Sequence, residues 1–331
     1  MNITEKRIPQ DGRIKMRTGR NTSVDFRVST LPLLHGEGVV LRILDKSSLN
    51  VDLTMLGFEP ETFTQLKRCL CRPQGLLLVT GPTGSGKTVT LYSALNSLNK
   101  EDIKILTAED PVEFNFKGIC QVNVNADVGM TFPAALKAFL RQDPDIIMVG
   151  EIRDISTAEI AMKAAMTGHL VFSTLHTNDA PSSVTRMVDI GIPPYILAGS
   201  LTMVLAQRLG RRLCKECKTV MHYEPQELLA AGFKEEELEG LTCYGAVGCA
   251  TCNGLGYKGR LGIFELLEVT EAVSKAIAAE LPEEQLRKIA VKEGMVPLRR
   301  AALIKVVQGV TSLEEVLKRT VFPEESLPAY M

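Results

Sequence analysis

Residues Gly81-Pro82-Thr83-Gly84-Ser85-Gly86-Lys87-Thr88 fit the pattern G-x-x-x-x-G-K-[ST]. No other feature constrains the fold as much, because this pattern works as a turn between a buried strand and the start of a helix. Its glycines let the backbone wrap a polyphosphate and aim successive N–H groups at the oxygens. Lys87 sets a positive charge against the β- and γ-phosphates, and the Thr88 hydroxyl can ligate Mg²⁺. The following helix adds a dipole that favours anions. The flanks agree: Gly75 to Thr80 reads as a short buried strand, and Leu91, Leu95 and Leu98 recur at helical spacing.

From about residue 56 onward, strands alternate with helices, the signature of an α/β domain with a largely parallel sheet. Strands are predicted at Leu76–Thr80, Ile103–Thr107, Asp145–Val149 and Leu170–Leu175. Ser156-Thr157-Ala158-Glu159 reads as a capping box opening a helix that stops near Gly168, and Asn178 to Pro181 starts another that ends before Gly191. The uncharged stretch Ile190 to Gln207 reads as a buried helix entered through Pro193-Pro194. Its apolar part is shorter than the ~20 residues of a membrane span. Before the motif, residues 13–44 read as three short antiparallel strands. After it, Thr270 to Thr320 reads as helical, and the acidic run Lys234 to Glu239 as a solvated helix face.

A length of 331 residues supports about two domains. The polar segment Met1 to Arg13 is no secretory signal. The net charge of −1 offers no support to a polyanion-binding surface. A soluble cytoplasmic protein is therefore expected, and its eight cysteines are then expected as thiols. Cys214-x-x-Cys217 and Cys249-x-x-Cys252 form two matched pairs that together can close a tetrahedral Zn²⁺ site. Cys243 lies outside the pairs, and Cys69, Cys71 and Cys120 read as small core residues.

Further candidates surround the phosphate loop. Asp145 to Glu151 is an apolar strand followed by an acid, so Glu151 is placed to hold Mg²⁺, its length suggesting contact through water. Glu109 and Glu113 follow another strand, and either could activate a water for hydrolysis. His176 ends the strand begun after His169 and either senses a γ-phosphate or is structural. Arg42 is the one charge in Val39 to Leu44, and burying a charge is costly unless it is paired. It is a candidate arginine finger, Arg27 a weaker one, and a plain ion pair is the alternative for both.

These residues resemble the bacterial secretion and pilus ATPase superfamily. Glu109-Asp110-Pro111-Val112-Glu113 resembles its aspartate box, Asp145 to Asp154 its atypical Walker B segment, and Thr167-Gly168-His169 with Ser173 to Thr177 its histidine box. Arg7 to Arg13 and Arg27 to Thr30 resemble the domain before the motor. The tetracysteine segment resembles the assembly branch, with the type II secretion branch as near neighbour. The resemblance implies a RecA-like P-loop core at 51–207, a partial N-terminal β domain at 1–50, a tetracysteine zinc subdomain at 208–262 and a helical region at 263–331. It also implies an ATP-hydrolysing homohexamer with ATP between subunits, working at the cytoplasmic face of the inner membrane. There it would act with a membrane platform protein and the cytoplasmic parts of a pilus machine, not with nucleic acid. In that reading Glu113 is the base, Glu151 handles Mg²⁺, Arg27 and Arg42 act in trans, and Glu109, His169 and His176 border the nucleotide. Family members carry more residues before Arg7, so a truncated chain is expected.

Overall fold

The computed structural model describes residues 1–17, 19, 23–44 and 52–320. Two units emerge, one from Met1–Val51 with Glu113–Phe116, the other from Asp52–Val112 with Lys117–Met331.

In the first unit, β1 (Gln10–Arg17), β2 (Ser23–Leu33) and β3 (Gly36–Leu44) form an antiparallel sheet in that order. Its register aligns Arg13 with Arg27 and Arg27 with Arg42, so three arginines stand in one row across the strands. Val39, Val40, Leu41 and Ile43 are exposed, as is Arg42. The premise for singling out Arg42, a charge forced into a buried strand, is therefore not met.

The second unit begins with α1 (Pro60–Leu70), β4 (Gly75–Thr80), α2 (Lys87–Leu98), β5 (Ile105–Glu109) and β6 (Ile119–Asn123). There follow α3 (Phe132–Phe139), β7 (Ile146–Val149), α4 (Ile155–Met166), β8 (Leu170–Leu175), α5 (Ala180–Ile190), α6 (Pro194–Ser200) and β9 (Leu201–Leu213). Next come β10 (Thr219–Met221), α7 (Pro225–Ala231), β11 (Cys243–Gly245) and β12 (Tyr257–Glu268). Helices α8 (Glu271–Ala278), α9 (Glu283–Lys292), α10 (Leu298–Val307) and α11 (Leu313–Arg319) complete it.

Seven of these strands form one sheet in the order β12-β9-β4-β8-β7-β5-β6. Neighbours are parallel except β12, which runs antiparallel to β9 at the edge. Central strands covered on both faces become continuously apolar, and all six residues of β4 are buried. Leu76 and Leu78 pack in one core with Ala161 and Met162 of α4. Burial contributes about 2 kcal/mol for each such leucine. That core continues through Leu228 and Phe233 to Val273, Leu303 and Val316, so the cysteine-bearing and C-terminal segments share it.

Several expectations are corrected. The helix predicted over Ile190 to Gln207 is the seven-residue α6 followed by strand β9. The apolar run Leu201 to Ala206 is buried between β4 and β12, and tertiary pairing decides its conformation. The cap of α4 is Asp154, whose carboxylate accepts from the Thr157 N–H at 2.8 Å, and Ser156 already lies inside the helix. The acidic run forms only a short turn at Glu235–Glu237 rather than a helix face. Cys69 is buried as expected, but Cys71 follows the last turn of α1 and Cys120 lies on the edge strand β6, and both are exposed.

Candidate functional site

The phosphate loop joins β4 to α2, as its flanks predict. Gly86 is the N-cap of α2 with φ 91°, a left-handed conformation suited to glycine, and no side chain caps the helix. Gly81, at φ 147°, leaves no room for a side chain, since a Cβ there would lie 2.5 Å from the Gln207 carbonyl oxygen. The loop thus presents the open N-terminus of a twelve-residue helix, a ready anion site. Lys87 Nζ donates to the carbonyls of Gly81 at 2.7 Å and Pro82 at 3.2 Å, and Thr88 is exposed one residue along.

Adjacent strand ends assemble charges beside this loop. Thr80 Oγ1, at the end of β4, is 2.5 Å from Thr177 Oγ1 and accepts from the Thr177 N–H at 3.0 Å. That pair holds the turn after β8 against the loop and fixes His176. Thr174 Oγ1 donates to the Gly150 carbonyl at 2.6 Å, which ties the end of β7 to β8 and sets Glu151 near His176. Glu151 Oε1 is 2.5 Å from Arg153 Nη2, and its Oε2 is 3.7 Å from His176 Nε2.

Burial lowers the Lys87 pKa; Glu151 opposes the shift and the Arg208 guanidinium adds to it. Burial also lowers the His176 pKa, as does Lys87, while Glu151 works against them. The shift favours the neutral imidazole of His176. A lysine, a carboxylate and a histidine thus lie within electrostatic reach of one another at one end of the sheet. Arg208 was not apparent from sequence. It follows β9's apolar run, is half-buried, and donates through Nη2 to the Asn178 carbonyl at 2.7 Å.

The two acids of the aspartate-box segment differ sharply. Glu109, at the end of β5, is buried and accepts from three donors: Tyr92 Oη, Thr107 Oγ1 at 2.6 Å and Gln121 Nε2 at 3.1 Å. Glu113, in the first unit, lies with Oε1 3.6 Å from Arg27 Nη1, and its buried Oε2 meets no partner among the described residues. His169 departs from expectation. It precedes β8, its carbonyl accepts from the Gly75 N–H at 3.1 Å, and its Nδ1 is 3.0 Å from the Ala164 carbonyl oxygen. Since β4 and β8 run parallel, His169 stands at the end of the sheet opposite the phosphate loop, and the fold does not bring the two together within the chain.

The four paired cysteines converge. Cys214, Cys217, Cys249 and Cys252 place their sulfurs all within 4.8 Å of one another, and Cys243 is not among them. The Cys214–Cys249, Cys217–Cys252 and Cys249–Cys252 separations are each 3.8 Å. Four thiolates about 2.3 Å from a tetrahedral ion would stand about 3.8 Å apart, so the donor set fits Zn²⁺. The Gly248 N–H donates to Cys217 Sγ at 3.3 Å and the Gly256 N–H to Cys252 Sγ at 3.2 Å, contacts that favour thiolate.

Residues 1–318 match the family model for type II/IV secretion system proteins. The type IV pilus assembly ATPase PilB of Myxococcus xanthus is 51% identical over 321 residues, 97% of this chain and 57% of that protein. The type II secretion system ATPase E of Vibrio cholerae is 50% identical over 320 residues, 97% of this chain and 63% of that one. The chain spans just over half the length of several such relatives. Among solved structures, that of the pilus retraction motor PilT with bound ADP matches with a TM-score of 0.69 and 28% identity, over 96% of this chain and 79% of that one.

Proposed function

This chain belongs to the type II/IV secretion system protein family, and on that footing we propose that it is the ATP-hydrolysing part of a hexameric motor for type IV pilus assembly. The observation that supports the ATPase reading best is the grouping of Lys87, Glu151 and His176 beside an uncapped helix N-terminus. In the proposed mechanism, the loop amides and Lys87 hold the triphosphate. Thr88, and Glu151 through water, would hold Mg²⁺, which would supply charge neutralisation at the phosphates. Glu113 takes a proton from the water whose oxygen bonds the γ-phosphorus as the bond to the β–γ bridging oxygen breaks. Its buried oxygen, without a donor among the described residues, suits it to this better than Glu109, whose three donors hold α2 against β5 and β6. His176 reports on the γ-phosphate, and Arg27 and Arg42 stabilise the reaction at a neighbouring subunit's nucleotide.

The four cysteines hold a structural zinc, and the segment between β9 and β12 forms the subdomain around it. The RecA-like core runs past the expected bounds of 51–207, because β9 continues to Leu213 and β12 to Glu268 in its sheet; the N-terminal strands belong to the domain before the motor, and α8 to α11 form the helical region. The proposed setting is a homohexamer peripheral to the cytoplasmic face of the inner membrane, engaging the platform protein of the pilus machine. No helix among the described residues is long and apolar enough to cross a membrane. The alternative, a type II secretion ATPase, is supported by the comparable identity of the Vibrio cholerae relative. A nucleic-acid translocase is disfavoured by the net charge of −1.

Mg-ATP turnover and nucleotide titration test the core of this reading. Lys87→Ala is expected to abolish tight binding, and Glu113→Gln to keep binding but lose most turnover. Unchanged affinity in the first, or near wild-type turnover in the second, removes the corresponding role. Replacing the matching segment of the Myxococcus xanthus relative with this chain should restore pili in a strain lacking that relative. Success only in the Vibrio cholerae secretion ATPase would favour the alternative.

A further inference from the structure

Gln207 lies on β9, far from the phosphate loop in sequence, yet its side chain is only 2% exposed and its Nε2 donates to the Ser85 carbonyl at 2.6 Å. The amide orientation follows from chemistry, because the reverse orientation would set two acceptors against each other at that distance. The Gln207 residue touches the loop at two further points. Its carbonyl oxygen fills the space a Gly81 side chain would need, and its Nε2 lies 3.2 Å from where a Gly86 Cβ would stand. Among the described residues, its Oε1 is buried without a partner. The side chain is therefore not held in place by a second hydrogen bond, and its polar contact is directed at the loop.

We infer that Gln207 is a positioning residue for the phosphate loop, acting through the Gly86 N–H. In a trans peptide the carbonyl and the following N–H point in opposite directions. Drawing the Ser85 carbonyl toward β9 therefore turns the Gly86 N–H away from β9, toward the side on which the loop can receive a phosphate. Gly86, with its left-handed φ, would otherwise let that peptide rotate cheaply. The strand thus supplies a constraint that the glycine-rich loop cannot supply for itself.

The inference rests on the nucleotide-binding reading above, and one experiment separates the two. Mg-ATP affinity and steady-state kinetics are measured for wild type, Lys87→Ala, Gln207→Met and Gln207→Glu. Methionine keeps the volume and removes the donor, while glutamate sets an acceptor against the Ser85 carbonyl. Gln207→Met should weaken Mg-ATP binding about ten-fold, the scale of leaving one buried acceptor unpaired. KM should rise with it while kcat at saturation stays within about two-fold, because the Gly86 N–H meets phosphate before and during reaction. Gln207→Glu should weaken binding further. A merely structural role would lower the melting temperature and leave Kd and KM unchanged. That result in either folded variant overturns the inference while the nucleotide site stands. Failure of wild type to bind Mg-ATP overturns both.

Discussion

Glu265 is a carboxyl of the second unit buried to 1% exposure. It lies on β12, where Oε1 accepts from the Ala180 N–H at 2.7 Å and Oε2 from the Leu298 N–H at 2.9 Å. These are the first residues of α5 and α10, so one side chain joins two helix N-termini. Burial pushes its pKa up from 4.5 to about 7; the Ala180 N–H opposes, Asp179 adds to the rise, and the Leu298 N–H and Arg287 oppose. Arg208 also feels its charge, and Arg287 is paired with Asp179 at 2.9 Å. A carboxyl with a raised folded value binds its proton more tightly folded than unfolded. Its stabilising contribution is complete below about pH 4.5, declines as pH rises toward 7, and is gone above that. The full span is about 3 kcal/mol, and about 2.5 kcal/mol of it falls between pH 5 and pH 8.

Glu265→Gln removes the titration. Its single carbonyl oxygen can serve only one of the two N–H groups, which adds a pH-independent cost of about 1–3 kcal/mol. The stability advantage of wild type over the variant should therefore shrink by about 2.5 kcal/mol from pH 5 to pH 8. Urea unfolding followed by circular dichroism at several pH values measures this, since the chain has no tryptophan. Other groups titrate alike in both proteins and cancel in the difference. His176 is one, and Glu237, which Arg300 holds down to about 2, is another. An advantage that stays constant within about 0.5 kcal/mol would refute the reasoning, because about 1.4 kcal/mol corresponds to one pKa unit.

Two further outcomes are expected. Purified, reduced protein should carry one zinc per chain; Cys217→Ser should lose it and Cys243→Ser retain it, and elemental analysis without zinc would remove the metal assignment. Inactive Lys87→Ala and Arg42→Ala proteins, mixed, should regain some ATPase activity through interfaces that join an intact loop to an intact arginine; none regained in proven mixed hexamers would make Arg42 an ion-pair residue.

What could be read from the chain alone was what depends on neighbours in sequence. The loop at 81–88 announces itself, and β4 and α2 follow because the strand and helix periods begin at its two ends. The cysteine pairs were legible too, since each C-x-x-C spacing brings its own two thiols together, and the fold then brings the two pairs to one point. Strand β9 was not. Its apolar run suits a buried helix or a buried strand, and only the edges of β4 and β12, distant in sequence, decide between them. With β9 misread, Gln207 and Arg208 could not be placed at the loop. Arg13 was missed for a similar reason: the row it forms with Arg27 and Arg42 exists only in the register of three strands.

The carboxylates show why residue identity carries so little of the mechanism. Glu109, Glu151 and Glu265 all stand at or near strand ends of one sheet, and each has been given a different task by what faces it. Three donors surround Glu109, Tyr92 of α2, Thr107 of β5 and Gln121 of β6, so its contribution is to lock α2 to the sheet. Glu151 has Arg153 and His176 on its two oxygens and Lys87 in electrostatic range, at the end of the sheet that carries the 81–88 loop. Glu265 faces two helix N-termini in a site dry enough that burial still outweighs them. Glu113 alone among the candidate bases keeps a buried oxygen with no donor on it among the described residues. The two acids that spacing left open thus differ in setting: Glu109 is tied to α2, β5 and β6, whereas Glu113 keeps one oxygen clear of donors among the described residues, and that difference supports the role proposed for Glu113.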